Sequence, residues 1–252
     1  LLNYSNIDIL LITESWLCSS YSSSLLADLN KFSVLRKDRL STGGGVCAII
    51  RAGIDFVLVD VAPEFTDLEL LAFDVIGVHT KYRFILCYRP PSSGINDLCL
   101  LTKAIDSLCT SDASVILCGD FNLPAISWTS PDINDVSDLL CSSFIDCVQE
   151  NALVQYVSQA TRGNNILDLV FSNDPFLVHD VIVSEPLSTS DHNTVEFKLN
   201  FCNTVFLKNS DKVFTDFSAI DWDSFNEYFC HINWSVVYSV DDDGDQRWSA
   251  FS

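Results

Sequence analysis

The stretch Leu117-Cys118-Gly119-Asp120-Phe121-Asn122-Leu123-Pro124 ends an apolar run with a carboxylate and an amide two residues apart. Side chains alternate along a strand, so Asp120 and Asn122 would present an acceptor and an amide on one side. Gly, Asp, Asn and Pro are also turn formers, and this stretch alone reads better as a turn. The arrangement recurs, however. Ile12-Thr13-Glu14-Ser15-Trp16-Leu17 places Glu14 after another apolar run, Cys87-Tyr88-Arg89-Pro90-Pro91 places a phenol and a guanidinium after a third, and Thr189-Ser190-Asp191-His192 follows near residue 190. Asp168 lies inside the otherwise apolar run ILDLVFSN, residues 166–173. A buried carboxylate costs roughly several kcal/mol unless it is partnered. A histidine is the natural partner, and His192 is expected within hydrogen-bond reach. Polar groups at five such places exceed what turns require, and strand ends are where α/β sheets build sites.

The elements that must position these residues are short apolar runs separated by turn signals. Strands are expected at 7–13, 32–38, 44–51, 55–61, 68–77, 83–89, 114–120, 167–172, 178–184 and 194–199, all rich in Val, Ile, Leu and Phe. Helical spacing of apolar residues predicts one helix over 95–109 and a second over 134–150, with Asn134 as N-cap and Asp135 in the first turn. Many strands with few, separated helices imply a mixed α/β layered domain. The glycines at 43–45 suit a tight hairpin better than a phosphate cradle, because no helix follows them. Beyond residue 200 the strand runs fade and aspartates mix with aromatics, which sets a domain boundary near 200.

The ordered set ESWL (14–17), YRPP (88–91), GDFN (119–122), ILDLVFSN (166–173) and SDH (190–192) resembles the endonuclease/exonuclease/phosphatase superfamily. That superfamily includes DNase I, apurinic endonucleases and inositol polyphosphate phosphatases. More narrowly, ITESWL, GGGVCAII, YRPP, GDFNLP and TRGNNILDLVFSN resemble the apurinic-type endonuclease domain of non-LTR (LINE, jockey-like) retrotransposons, across about residues 5–200. The segment DWDSFNEYF…RWSAF (221–251) is similar to the stretch leading to a reverse transcriptase in such elements.

The resemblance implies an α/β fold, a four-layer sandwich of two packed mixed β-sheets flanked by helices. It implies an endonuclease domain over 1–200, truncated at its N-terminus, and a linker over 201–252. It also implies a Mg²⁺-dependent enzyme, with Mn²⁺ as the alternative ion, that hydrolyses a DNA phosphodiester. The 3′-hydroxyl left behind would prime reverse transcription. Glu14 and Asp191 would serve the metal. Asp120 would orient or deprotonate the attacking water, with Asn122 beside it. His192 would bind the scissile phosphate with Asp168 fixing its tautomer, and Tyr88 would hydrogen-bond the phosphate. Element RNA and a reverse transcriptase domain would be partners in a longer protein, which would be intracellular and act in the nucleus. Thr161 and Arg162 match a family position. The family's first strand ends in a metal-site asparagine, and only 13 residues precede Glu14 here. A phosphatase of the same superfamily acting on inositol phosphates or lipids, and a catalytically dead retroelement fragment, are the alternatives.

Composition narrows the field. The chain has 252 residues, 48% hydrophobic, enough for a sizeable core. No apolar run approaches the roughly 18 residues of a transmembrane helix. No methionine occurs anywhere, so a piece of a longer reading frame is expected. The ten cysteines form no CxxC pair and mostly sit in apolar runs, which suggests buried thiols in a reducing compartment. The net charge of −20 disfavours generic nucleic-acid binding. Nine of the 14 bases fall in the first 110 residues. Those of 31–51 and 81–89 are therefore expected to flank the mouth of any polyanion cleft.

Overall fold

The computed structural model describes residues 7–39, 43–77, 80–110, 113–128, 138–201 and 230–231. The chain divides into two compact units, Leu1–Thr204 and Val205–Ser252. Every strand and helix named below belongs to the first.

A six-stranded sheet forms the centre. It comprises β4 (Phe56–Leu58), β5 (Glu69–Ile76), β6 (Lys81–Tyr88), β7 (Ala113–Asp120), β8 (Val154–Gln155) and β9 (Asp168–Ser172), in the order β4-β5-β6-β7-β9-β8. β6 and β7 run parallel and the other neighbours antiparallel, so the sheet is mixed. The parallel pair needs a crossover, and α1 (Ile95–Leu108) lies in the connecting segment. β1 (Ile9–Thr13), β2 (Phe32–Lys37) and β3 (Val46–Arg51) make an antiparallel three-stranded sheet in the order β1-β3-β2. β10 (Val178–Pro186) and β11 (Asn193–Leu199) make an antiparallel pair.

Both faces of the central strands are buried, which explains their unbroken apolar runs. Ile85, Cys87, Val115, Leu117, Leu169 and Phe171 face α1 and α2 (Leu139–Glu150). The alternate residues Phe84, Leu86, Tyr88, Ile116, Cys118 and Val170 face the two smaller sheets, meeting Val46, Ala48 and Ile50 from β3 and Val183 and Val195 from the β10–β11 pair. The result is the expected α/β sandwich of packed sheets with helices. The far side of the three-stranded sheet is covered by Leu17, Leu26 and Ala27 from the segment after β1. Among the described residues no helix is long and apolar enough to cross a membrane. Cys47, Cys87, Cys118, Cys141 and Cys147 are buried free thiols.

Three details depart from the expected elements. α2 starts at Leu139, capped by Asp138, whose side chain accepts from the Leu140 N–H at 2.9 Å. The expected cap Asn134 lies outside the described residues. β8 is too short to leave an alternating pattern, and the single 3-10 turns at Ser23–Leu25 and Pro63–Phe65 leave no period at all.

Gly119 shows how tightly the central pair is drawn together. Its φ is +141°, and a Cβ there would lie 1.8 Å from the Cys87 carbonyl oxygen. Substitution must push β6 and β7 apart just below Tyr88 and Asp120. Gly119→Ala is expected to cost roughly 3 kcal/mol or more, read as a lowered urea midpoint in a chemical melt.

Candidate active site

Three strands of the central sheet end in one row. The register pairs Tyr88 with Asp120 and Asp120 with Asp168. Tyr88 lies on the face turned to the smaller sheets, and Asp120 and Asp168 continue the positions of Cys118 and Val170 on that face. The end of β1 brings Glu14 to this row, and the turn between β10 and β11 brings His192.

Glu14 sits in a turn held from below. Its carboxylate accepts the Tyr88 hydroxyl on Oε1 at 2.5 Å and the Trp16 indole N–H on Oε2 at 3.2 Å. Glu14 and Trp16 both have positive φ, 49° and 55°. The N–H groups of Ser15 and Trp16 donate to the carbonyls of Gly45 and Gly44 at 3.0 and 2.9 Å. The glycine triplet, with φ between +68° and +85°, thus lies in the β2–β3 connection and also supports the Glu14 turn. Glu69 steadies it by accepting the Gly45 N–H.

At the end of β7 the turn reading and the site reading prove to be the same structure. Asn122 has φ 50°, its N–H donates to Asp120 Oδ1 at 3.1 Å, and its amide donates to Asp120 Oδ2 at 2.7 Å and to the Arg89 carbonyl at 3.0 Å. Arg89, which the sequence showed only as a guanidinium at a strand end, is 4% exposed and clamps this turn. Its guanidinium donates to the carbonyls of Phe121 at 3.4 Å and Asn122 at 3.2 Å, and its N–H to that of Asp120 at 2.9 Å. Thr161, matched from sequence without a role, is fully buried, and its hydroxyl accepts the N–H groups of Leu167 and Asp168, both at 3.0 Å. Its carbonyl accepts the Asn193 N–H at 2.7 Å, tying β9 to the start of β11.

His192 Nδ1 lies 2.7 Å from Asp168 Oδ2, although the residues are 24 positions apart. His192 Nε2 lies 4.0 Å from Asp120 Oδ2, beyond a direct hydrogen bond. Asp191 is not drawn in with its neighbour. Its exposed carboxylate pairs with Arg162 at 2.6 Å, which holds it below the usual range, and it stands outside the cluster of Asp120, Asp168 and His192, whose ligand atoms lie within 4.8 Å of one another. Glu14 joins the row through the Tyr88 hydroxyl, although it too lies outside that cluster of three.

The electrostatics follow from crowding. Burial, then the charge of Asp168, pushes the Asp120 carboxyl up to about 7, and Glu14 adds to this while His192 and the Asn122 N–H oppose it. The hydrogen bond to Asp168 raises His192, which favours its charged form. Burial and then the bond to Glu14 raise Tyr88, so it stays a donor. A divalent cation suits such a place, because Glu14 and Asp120 are hard oxygen donors whose mutual repulsion it would relieve.

Two hollows flank the row. One, of about 440 Å³, is lined by Asn122, Pro124, Arg162 and Leu167; the other, of about 610 Å³, by Lys37, Arg39, Glu69 and Tyr88. The expected basic rim is thinner than the sequence implied, because acids take up most of the bases. Arg83 forms a buried bidentate pair with Asp74 at 2.7 and 2.9 Å, and Arg36 and Arg51 pair with Asp38 and Asp8. Lys37, Arg39 and Arg162 lie beside the hollows, Arg39 within 3.5 Å of Glu69 and Arg162 paired with Asp191.

The fold and part of the sequence are similar to those of known proteins. Residues 82–196 match the family described as endonuclease-reverse transcriptase. A search of curated protein sequences finds no match. Among solved structures the chain is similar to the endonuclease domain of TRAS1, a telomere-specific non-LTR retrotransposon, at 17% identity and TM-score 0.58, covering 77% of this chain and 86% of that one. It is similar to the 3′-5′ exonuclease of Neisseria meningitidis at 15% identity and TM-score 0.60, covering 79% and 91%. It is also similar to an AP endonuclease from Archaeoglobus fulgidus at 16% identity and TM-score 0.56, covering 77% and 89%. The family match covers 115 of the 252 residues, and the solved structures share the fold.

The raised Asp120 carboxyl has a sign that can be read in solution. Folded Asp120 holds a proton up to about pH 7, whereas the unfolded group releases it near pH 4. Its penalty is absent below pH 4, grows as pH rises to 7, and is constant above. The stability of Asp120→Asn relative to wild type, without metal, should therefore climb by roughly 4 kcal/mol between pH 4 and 7 and then level off, as measured by urea melts across that range.

Proposed function

We propose that the chain is the metal-dependent endonuclease domain of a non-LTR retrotransposon, hydrolysing a DNA phosphodiester so that the 3′-hydroxyl left behind primes reverse transcription. The observation that carries this reading is the meeting of Tyr88, Asp120, Asp168 and His192 with Glu14 at one sheet edge, in a chain whose residues 82–196 match an endonuclease-reverse transcriptase family. A similar protein from Neisseria, described as a 3′ phosphatase, is known bound to a product DNA hairpin; it supports DNA as the substrate class.

Asp120 accepts a proton from, or orients, the attacking water. Without metal its carboxyl is pushed up to about 7; a bound cation would lower it and leave the carboxylate ionised, ready to accept. Asn122, locked by Arg89, holds the carboxylate in place through its amide and N–H. His192, charged and oriented by Asp168, donates to a phosphate oxygen, while the Tyr88 hydroxyl donates to Glu14 and fixes that carboxylate. The preorganised His192 donor stabilises the charge that develops on the phosphate. Glu14, with Asp120, would hold Mg²⁺ or Mn²⁺, which when bound supplies Lewis-acid polarisation of the phosphate.

Two measurements test this. Mg²⁺ should raise the thermal midpoint of the wild-type chain, because a ligand bound only to the folded state stabilises it. Glu14→Gln should lose most of that rise, and an equal rise in the variant would remove Glu14 from the metal. The chain with Mg²⁺ should nick supercoiled plasmid, the rate should fall steeply with salt, and Asp120→Ala should reduce it by at least about 10²-fold. Release of inorganic phosphate from inositol phosphates without nicking would replace this reading with the phosphatase one. Neither activity in a folded, metal-bound chain would make it a binding relic.

A further inference from the structure

Trp16 is unusual among the exposed apolar residues of this molecule. It is 65% exposed, yet its backbone is held at φ 55°, a conformation rarely adopted by a bulky side chain. Such strain persists only where the surroundings enforce it. Here they do. The Trp16 N–H donates to the Gly44 carbonyl at 2.9 Å, and the indole lies against Gly43, where an added Cβ would meet the ring at 3.9 Å. The strained turn aims the indole N–H at Glu14 Oε2, 3.2 Å away, while Tyr88 occupies Oε1 at 2.5 Å. The remaining ring surface stays in water next to the site.

The setting says what that surface would meet. The Gly43–Gly45 turn has Trp16 against Gly43, and against Gly44 it has Arg39 together with Glu69, whose carboxylate lies 3.5 Å from the guanidinium. An aromatic face and a guanidinium on one rim, beside carboxylates and a charged histidine, fit a nucleic acid strand. The base stacks while the phosphate meets the cation. A hydrophobic protein partner would not place its contact against a metal-ligating carboxylate.

Building on the endonuclease reading, we propose that Trp16 acts on two sides: its N–H positions the Glu14 carboxylate, and its exposed ring stacks on a nucleobase of the DNA beside the scissile phosphate. Trp16 is thus a positioning residue toward the metal and a direct contact toward DNA. It couples strand engagement to the geometry of the metal ligand.

Two variants separate the roles. Trp16→Phe keeps an aromatic face but lacks the donor, and Trp16→Ala lacks both. Mn²⁺ titrated calorimetrically into the chain should bind at least about threefold more weakly in both variants, the loss of one hydrogen bond to a charged group. In an Asp120→Ala background that suppresses cleavage, binding of fluorescein-labelled DNA should be within about twofold of the parent for Trp16→Phe and about tenfold weaker for Trp16→Ala. Quenching of 2-aminopurine in a single-stranded oligonucleotide should survive in the first and vanish in the second. Urea midpoints should coincide, because the ring is exposed. Unchanged Mn²⁺ affinity in Trp16→Phe, or unchanged DNA affinity and quenching in Trp16→Ala, overturns the proposal. A collapse of both midpoints assigns Trp16 to folding and overturns it too. A parent chain that folds and binds Mn²⁺ but not DNA removes the endonuclease reading itself.

Discussion

A carboxylate buried at the end of the central strand, with two further carboxylates close enough to raise it, is the constraint around which this domain is arranged. Asp120 is 2% exposed, and the charges of Asp168 and Glu14 both act against its ionisation. Unrelieved, such a group would remain protonated or unfold its surroundings. Each neighbour answers it in part. Asn122 donates twice to its oxygens, His192 takes up Asp168, and Tyr88 takes up Glu14. What remains is repulsion between oxygens, which a bound cation removes.

The scaffold exists to hold those groups within a few ångströms. The close approach of β6 and β7 at Gly119 sets Tyr88 beside Asp120, and the pairing of β7 with β9 sets Asp168 on the other side. Packing of the smaller sheets on the same face of the central sheet brings the end of β1 and the β10–β11 turn over the row. Arg89 and Thr161 act one step back. One locks the turn after β7, and the other ties β9 to β11. Neither needs to touch a ligand to matter, because a site of this kind depends on geometry held to a fraction of an ångström.

The acidic balance of the chain is resolved in the same place. Buried or paired bases such as Arg83 with Asp74 neutralise acids and contribute nothing to a polyanion. Among the described residues Lys37, Arg39 and Arg162 lie beside the hollows, and the last two are themselves paired, with Glu69 and Asp191. So thin a basic rim offers little long-range attraction to a polyanion.

The sequence by itself determined the strands with long apolar runs, the α1 helix, and Glu14, Tyr88, Asp120, Asn122, Asp168 and His192 as candidates. Each was visible because it interrupts or terminates a pattern that local chemistry makes regular. Asp168 was the plainest case, since a carboxylate in a buried strand demands a partner wherever the chain runs. The tertiary structure alone decided the rest. Asp191 is adjacent to His192 in sequence but is captured by Arg162, and adjacency says nothing about which neighbour an ion pair will choose. Arg89 and Thr161 act through backbone carbonyls and N–H groups from distant segments, contacts that leave no mark in residue type or spacing. The basic rim dwindled because long-range pairing consumed charges that composition can only count. Trp16 reads as an ordinary apolar residue until the glycine turn behind it shows where its N–H is aimed.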